Sequence, residues 1–444
     1  MKLRSARLMQ RRWTHPGVLR RGATTVNAEA WSARCEKSGD PQRTEIGTRP
    51  SAAANRAHCT LIRERAAPPL WRHRTVVAYL CRELKRRGHH VTLFASGGDS
   101  TIDVPLKPGC PNSLRTSDLD RFGTAYHLPM LSELCESAED FDIVHPHIDY
   151  WSFPFQRMIR VPTVSTMHNR MDQPELNSVY RYYKNLPVVS ISNAQRCRLP
   201  DLQWIRTIYH GTPEERWKFN PRRGRHLAFL ERFSPEKRPD LAIEVARRAG
   251  IPLKMAATVD RVDQQYFETV VKPLLSTPDV DYVGEISERE KAQFLGQALA
   301  LLFPIDWAEP FGLVRIEVLA CGTPVIARPC GSVPEVLKAG ITGFIAPDVD
   351  GLVKGVCKAG DFPRRIVREE FESRFSAAIM AAHYEELYYD LIEDVHKPTH
   401  PLTTGVGGTD PVASDEGLIA DSESAVDDDF APVVPVVVNS DPFS

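Results

Sequence analysis

Residues 299–327 read Leu299-Ala300-Leu301-Leu302-Phe303-Pro304-Ile305-Asp306-Trp307-Ala308-Glu309-Pro310-Phe311-Gly312-Leu313-Val314-Arg315-Ile316-Glu317-Val318-Leu319-Ala320-Cys321-Gly322-Thr323-Pro324-Val325-Ile326-Ala327. The apolar run 299–303 is a buried strand in outline. A loop rich in Pro and Trp follows. The chain then reads as a helix over 312–320 that Gly322 ends, and Thr323-Pro324 launches a second buried strand over 323–327. Short apolar strands alternating with helices are the pattern of an α/β sheet.

Two carboxylates stand eight positions apart in this stretch. Glu309 lies in the loop, and Glu317 lies one to two turns inside the helix. Glu309 has Trp307, Pro310 and Phe311 for company, which is poor surroundings for a surface acid. Glu317 sits between Ile316 and Val318, so a half-buried, paired carboxylate is expected. The helix start offers free backbone N–H groups and a positive dipole end, both suited to an anion.

Outward from this unit the same pattern repeats. Strands are expected near 226–231, 252–257, 280–283, 299–303, 323–327 and 343–346, with helices between them that include 238–249, 287–298 and 312–320. A last helical stretch over about 365–395 carries Tyr384, Leu387, Tyr388 and Leu391 at helical spacing. Upstream, Val76, Val77, Leu80, Cys81 and Leu84 fall on one helical face that Gly88 closes, and Val91–Phe94 follows as a strand. Further short runs lie at Asp142–His145, Pro162–Thr166, Pro187–Ile191 and Ile205–Tyr209. Each ends in polar residues, where an open parallel sheet places its ligand crevice. His210-Gly211-Thr212-Pro213 and the Arg-rich run to Arg225 form the best boundary between two such domains.

The chain has 444 residues and a net charge of −1, so no overall field points to nucleic acid or to a membrane. The start is rich in Arg. Residues 398–444 contain no Lys or Arg but carry Asp427-Asp428-Asp429 and other acids. Both ends read as solvated, disordered segments. No stretch approaches the ~20 apolar residues of a membrane span, and no apolar leader opens the chain. Nine cysteines are scattered without metal-ligand spacing. Cys110, Cys135, Cys197, Cys321 and Cys330 read as reduced thiols of a cytoplasmic protein.

Further candidates stand at strand ends. Arg232 closes the run Leu227–Leu230 and Lys237 opens the next helix. Two cations there can neutralise a diphosphate leaving group, Arg by a bidentate fork and Lys as a point charge. His168 ends Thr166-Met167-His168 and can bond a sugar hydroxyl or take a proton. His145 and His147 end another strand as cleft-lining candidates; no third ligand follows to make a metal site. Ser192-Asn193 and Glu335 are possible ligand contacts. Trp307 and Asp306 are expected to shape a sugar pocket.

Taken together these residues resemble the retaining glycosyltransferases of family 4, group 1 type, from about Thr75 to Tyr388. Glu309 to Glu317 is similar to that family's E-x7-E motif, Arg232 and Lys237 to its phosphate-binding pair, His168 to its strand-end histidine, and Ala320–Ala327 to its A-x-G-x-P-V-I-A signature. The resemblance implies the GT-B fold, two doubly wound Rossmann-like domains facing a cleft. It divides the chain into a disordered segment 1–74, an acceptor domain 75–213, a nucleotide-sugar domain 214–375, a helix 376–396 crossing back, and an acidic disordered tail 397–444. It implies catalytic roles for Glu309 and His168. Arg232, Lys237, Phe311, Gly312, Leu313 and Glu317 would bind the donor, with Glu317 accepting from the ribose hydroxyls. No metal or other cofactor is implied. The partners would be a nucleotide-diphosphate sugar and an acceptor that is a sugar, lipid or small metabolite, with peripheral membrane contact left open. Retention would come from front-face attack, the leaving phosphate helping to deprotonate the acceptor.

Two departures stand out. The family usually begins with a buried strand and a Gly-Gly loop, whereas Arg63–Arg74 has no glycine and no apolar strand. A loop that approaches phosphate closely needs glycine. The alternative reading is therefore an inactive, donor-binding homologue damaged at its N-terminus. A sugar-nucleotide epimerase on the same two-domain plan gives no reason for the paired acids. Position 231 is Glu where many relatives carry Gly.

Overall fold

The computed structural model describes residues 72–96, 104–110, 123–396 and 436–438. The expected disordered N-terminal segment, up to residue 71, and the expected acidic tail, apart from 436–438, lie outside these residues.

The first lobe opens with helix α1, Arg72–Arg86, whose Val76, Val77, Leu80, Cys81 and Leu84 are all buried. Strands β1 (Val91–Ser96) and β2 (Leu106–Cys110) follow, then helix α2 (Gly123–Ser137) and strand β3 (Val144–His145). Strands β4 (Ser165–Thr166) and β5 (Val188–Ser190), the short helix α3 (Asn193–Arg196) and strand β6 (Trp204–Thr207) complete the lobe. β4, β5 and β6 pair in parallel, and a parallel bridge from Val144 to Thr163 links them to β3.

The second lobe is one parallel sheet. Its strands are β7 (Leu227–Leu230), β8 (Leu253–Ala256), β9 (Val280–Gly284), β10 (Ala300–Phe303), β11 (Val325–Ala327) and β12 (Gly343–Ile345), and all six match expected runs to within about three residues. Helices α4 (Pro239–Ala249), α5 (Glu288–Gly296), α6 (Leu313–Ala320) and α7 (Val333–Val336) lie between them, and α8 (Val349–Lys358) follows β12. Every residue of β7 and β10 is buried, as strands covered on both faces require. The spatial order is β12-β11-β10-β7-β8-β9. The chain starts in the middle, winds outward to β9, then returns to β10 beside β7 and winds the other way. That reversal opens a crevice at the carboxyl ends of β7 and β10. The loop holding Glu231, Arg232 and Lys237 follows β7, and the loop holding Glu309 follows β10. The topology therefore brings two loops about 70 residues apart to one place.

The expected helix 365–395 is two helices, α9 (Arg364–Arg374) and α10 (Ala377–His396). They break at Phe375-Ser376, where the backbone pairs with the other lobe crossing: Thr212 N–H donates to Phe375 O at 3.0 Å and Ala377 N–H to Thr212 O at 3.0 Å. α10 then packs on the first lobe. His89 and Arg87 both bond Glu385. The Tyr388 hydroxyl bonds His145 Nδ1 at 2.6 Å, and the Tyr384 hydroxyl lies 2.8 Å from Thr166 Oγ1.

Within the tail, Val436–Val438 form a strand, β13, lying antiparallel between β1 and β3. Val91 faces Val438 and His145 faces Val436. A strand from the far end of the chain thus supplies ladder partners between two strands that otherwise present unpaired backbone groups. The apolar run Val436-Val437-Val438 suits a central strand, and the acids Asp427-Asp428-Asp429 lie before it. Cys197 is disulfide-bonded rather than a reduced thiol. Among the described residues, no helix is long and apolar enough to cross a membrane.

Candidate active site

Glu309 sits at the mouth of the crevice, and its carboxylate bonds Lys237 Nζ. Glu231 Oε2 lies 3.3 Å from the same Nζ. The ammonium is also 5.3 Å from the centre of the Trp307 ring. Lys237, Glu231 and Glu309 are each largely buried, so one cation is shared by two carboxylates in a poorly solvated place.

Two glycines, Gly331 and Gly312, shape the loop. Gly331 has φ +55°, and a Cβ on it would stand 2.4 Å from Glu309 O. That close approach lets Ser332 N–H and Oγ–H donate to Glu309 O at 3.1 and 3.0 Å, fixing the backbone of the acid. Gly312 begins α6 with φ +68°, a conformation L-residues resist. Phe311 and Leu313 on either side are buried. The first N–H groups of α6 have no acceptor within the helix by construction.

α6 is buried along its whole length, charged residues included. Glu317 Oε2 is buried without a hydrogen-bond partner, and Lys291 Nζ reaches it only at 4.0 Å. An orphaned carboxylate oxygen is costly and fits a site that a ligand hydroxyl completes. The Trp307 indole Nε1 is likewise buried and unsatisfied. Arg315, fully buried, donates to Phe311 O and to Ser332 Oγ. Burial pushes its pKa down to about 10, against the pull of Glu309, Glu335 and Glu231.

The first lobe contributes histidines. His168 Nε2 is 2.8 Å from His147 Nδ1, and its ring stacks on His210 at 5.2 Å. His210 meets Phe311 edge-on at 5.0 Å. The rings connect His168 to the Glu309–Glu317 segment across 140 residues of sequence. The His168 backbone N–H donates to Asp149 Oδ1 at 2.9 Å, and Asn169 Nδ2 bonds the other carboxylate oxygen. Burial lifts the Asp149 pKa to about 6 in spite of those bonds. Arg170, just beyond, places its guanidinium 5.8 Å from the Trp307 ring of the other lobe.

Several expected contacts are already occupied. Arg232 bonds Glu236 at 2.8 Å and Asp260 at 2.9 Å and lies 3.3 Å from Asp263, so a diphosphate would compete with three carboxylates for it. Asp306 is held by Arg238 and Arg328. Ser192 caps α3, its Oγ accepting from Gln195 N–H at 3.0 Å. Glu335 accepts the N–H groups of Asn193 and Ala194 at 2.7 and 2.6 Å and the Tyr209 hydroxyl at 3.2 Å. Its carboxylate therefore joins the lobes. His145 is a structural residue, bonding Thr166 Oγ1 at 2.7 Å as well as Tyr388, and burial, with a smaller push from His168, holds its pKa well below the usual range. Asp149, His210 and Arg315 were missed. Arg315 could have been found by the argument used for Glu317, since it too stands among apolar residues; nothing local marks Asp149 or His210.

Two family models match successive parts of the chain. The family model "Glycosyl transferases group 1" matches residues 212–359, and "Glycosyltransferase Family 4" matches residues 74–241. The chain belongs to the group 1, family 4 glycosyltransferases. It is a transferase of the GT-B fold. This glycosyltransferase is 24% identical over 369 residues to the N-acetyl-alpha-D-glucosaminyl L-malate synthase of Bacillus anthracis, covering 71% of this chain and 93% of that one. It is 25% identical over 321 residues to the D-inositol 3-phosphate glycosyltransferase of Mycolicibacterium smegmatis, covering 61% and 73%. Among solved structures it resembles Anabaena HepE in complex with UDP and glucose, with a TM-score of 0.57 and 14% identity over 75% of this chain and all of that one.

Proposed function

We propose that this glycosyltransferase is a retaining hexosyltransferase that takes its sugar from a nucleotide diphosphate. The observation that carries this reading is the orphaned Glu317 oxygen, buried eight residues beyond Glu309 on the helix that the Glu309 loop opens. It supports a hydroxyl-bearing ligand lying along α6, with the ribose at Glu317 and the hexose at Glu309. The phosphates would then pass the start of α6 at Phe311, Gly312 and Leu313, where helix N–H groups favour an anion. Lys237, bonded to Glu309, supplies a cation beside the hexose, and Arg232 joins it by exchanging a carboxylate for phosphate oxygen. These charges stabilise the leaving diphosphate, and no metal enters the proposal. The hexose leaves with retention as the acceptor attacks from the face the diphosphate departs, and the leaving phosphate takes the acceptor proton. His168, joined to Phe311 through His210, bounds the sugar on the first-lobe side and bonds one of its hydroxyls. HepE, of the same fold, is known with UDP and glucose. A cytoplasmic location and a sugar, lipid or small-metabolite acceptor belong to the same proposal.

The test is release of nucleoside diphosphate from UDP-, GDP- and ADP-sugars, with the anomeric outcome read by NMR. A well-folded chain that turns over none of them rejects the reading. The alternative, a donor-binding protein without turnover, is favoured by one observation: the strand beside β1 comes from the C-terminal tail rather than from the N-terminus. Calorimetric binding of a nucleotide without product release would establish it.

A further inference from the structure

The proposal rests on the donor reading above and concerns the acid that follows β7. We propose that Glu231 is an affinity-setting residue of the donor site, a built-in competitor that holds Lys237 against the incoming diphosphate.

Glu231 is the first residue after β7, at the carboxyl end of the strand and the centre of the crevice. It is 7% exposed. Its Oε2 lies 3.3 Å from Lys237 Nζ, on the same ammonium that Glu309 bonds. Glu309 has another use, because a hexose can offer it hydroxyls. Glu231 has the backbone position where the resemblance expects glycine, a residue that presents no charge at all. The cation is thus outnumbered before any ligand arrives, and Arg232 nearby is matched by Glu236, Asp260 and Asp263 in the same way.

Geometry bounds the consequence. A phosphate oxygen accepting from Lys237 at ~2.8 Å stands within about 6 Å of the Glu231 carboxylate, since both contact one nitrogen. Two unit negative charges at that separation, with an effective dielectric of about 20, resist each other by roughly a hundredfold in affinity. Shared attraction to Lys237 and Arg315 offsets part of this, which leaves about tenfold as the expected net effect. The donor therefore binds weakly by design of this position, and its affinity is released by removing one charge.

The experiment measures UDP, GDP and ADP binding to the full chain by calorimetry, in the parent, Glu231→Gln, Glu231→Asp and Glu231→Gly. For whichever nucleotide the parent binds, Glu231→Gln and Glu231→Gly tighten binding about tenfold, and Glu231→Asp, which keeps the charge, stays near the parent. The gain disappears in Glu231→Gln combined with Lys237→Ala. In turnover, KM for the matching donor falls while kcat changes little. Unchanged or weaker binding in Glu231→Gln overturns the proposal, because Glu231 then serves only to position Lys237. Absence of binding of all three nucleotides in parent and variants alike overturns the donor reading together with it. Glu231→Gln preserves volume, so a folding failure of Glu231→Gly alone does not remove the test.

Discussion

The carboxylate of Glu335 accepts the backbone N–H of Ala194 at 2.6 Å, so an acid of the second lobe caps the start of a short helix of the first. Asn193 N–H, 2.7 Å from the other oxygen, and the Tyr209 hydroxyl complete the grip. Burial raises the Glu335 pKa, those bonds lower it again, and the net direction is upward. The lobes are held by directional bonds as well as by the crossing helix α10.

Glu335→Ala is expected to loosen this junction. Two part-buried N–H groups lose their acceptor, at a cost of up to about 1–3 kcal/mol each before water compensates. Hydrogen exchange over 188–196 should speed up and the thermal midpoint should fall. Unchanged exchange there would show that α10 alone holds the lobes.

Glu317→Gln should separate stability from binding. The buried Oε2, which has no hydrogen bond and only a 4.0 Å contact with Lys291, is replaced by a neutral amide, so the ligand-free protein is expected to gain up to about 1 kcal/mol of stability. Nucleotide binding should weaken by about tenfold, the worth of one charge-assisted hydrogen bond. Calorimetry and denaturation on one preparation read both. A variant that loses stability contradicts the orphaned state of that oxygen.

Asp149 predicts a pH effect whose sign can be worked out. Its folded pKa, about 6, lies above the ordinary carboxylate value of 3.8. The folded state therefore holds the proton more tightly. The stabilisation is fully present below the ordinary value and is lost as pH rises through about 6. The loss amounts to roughly 3 kcal/mol at most. Relative to Asp149→Asn, the parent should lose stability between pH 4 and pH 7 in urea titrations. A constant difference between the two proteins over that range would refute it.

Removing residues 397–444 deletes β13 and leaves β1 and β3 without their shared neighbour. The first lobe is expected to lose protection at 91–96 and 144–145, with a midpoint drop of about 5 °C. Adding back a peptide of residues 431–444 should restore part of it. A truncated chain with parental exchange at those strands would mean that β13 contributes nothing to the fold.

Much of the fold could be read locally. The central strands of the second lobe, β7, β10 and β11, are short apolar runs bounded by Gly, Pro and polar residues, and burial on both faces makes such runs continuous. The Glu309–Glu317 pair was visible because acids beside Trp307, Phe311 and Ile316 break the rule that charges stay in water. Partners were not visible in the same way. Nothing near Arg232 in sequence announces that Asp260 and Asp263 will reach it, and nothing near Glu335 points to Ala194, 141 positions earlier.

By itself, then, the amino-acid order determined which segments bury and with what period, because hydrophobic patterning acts between neighbours along the chain. Only the tertiary structure decided which charges neutralise one another, that His145 serves α10 while His168 faces the Glu309 segment, and that a tail strand enters the first sheet. Those outcomes depend on which loops the winding of the sheets brings within a few ångströms, and short-range periodicity carries no record of that.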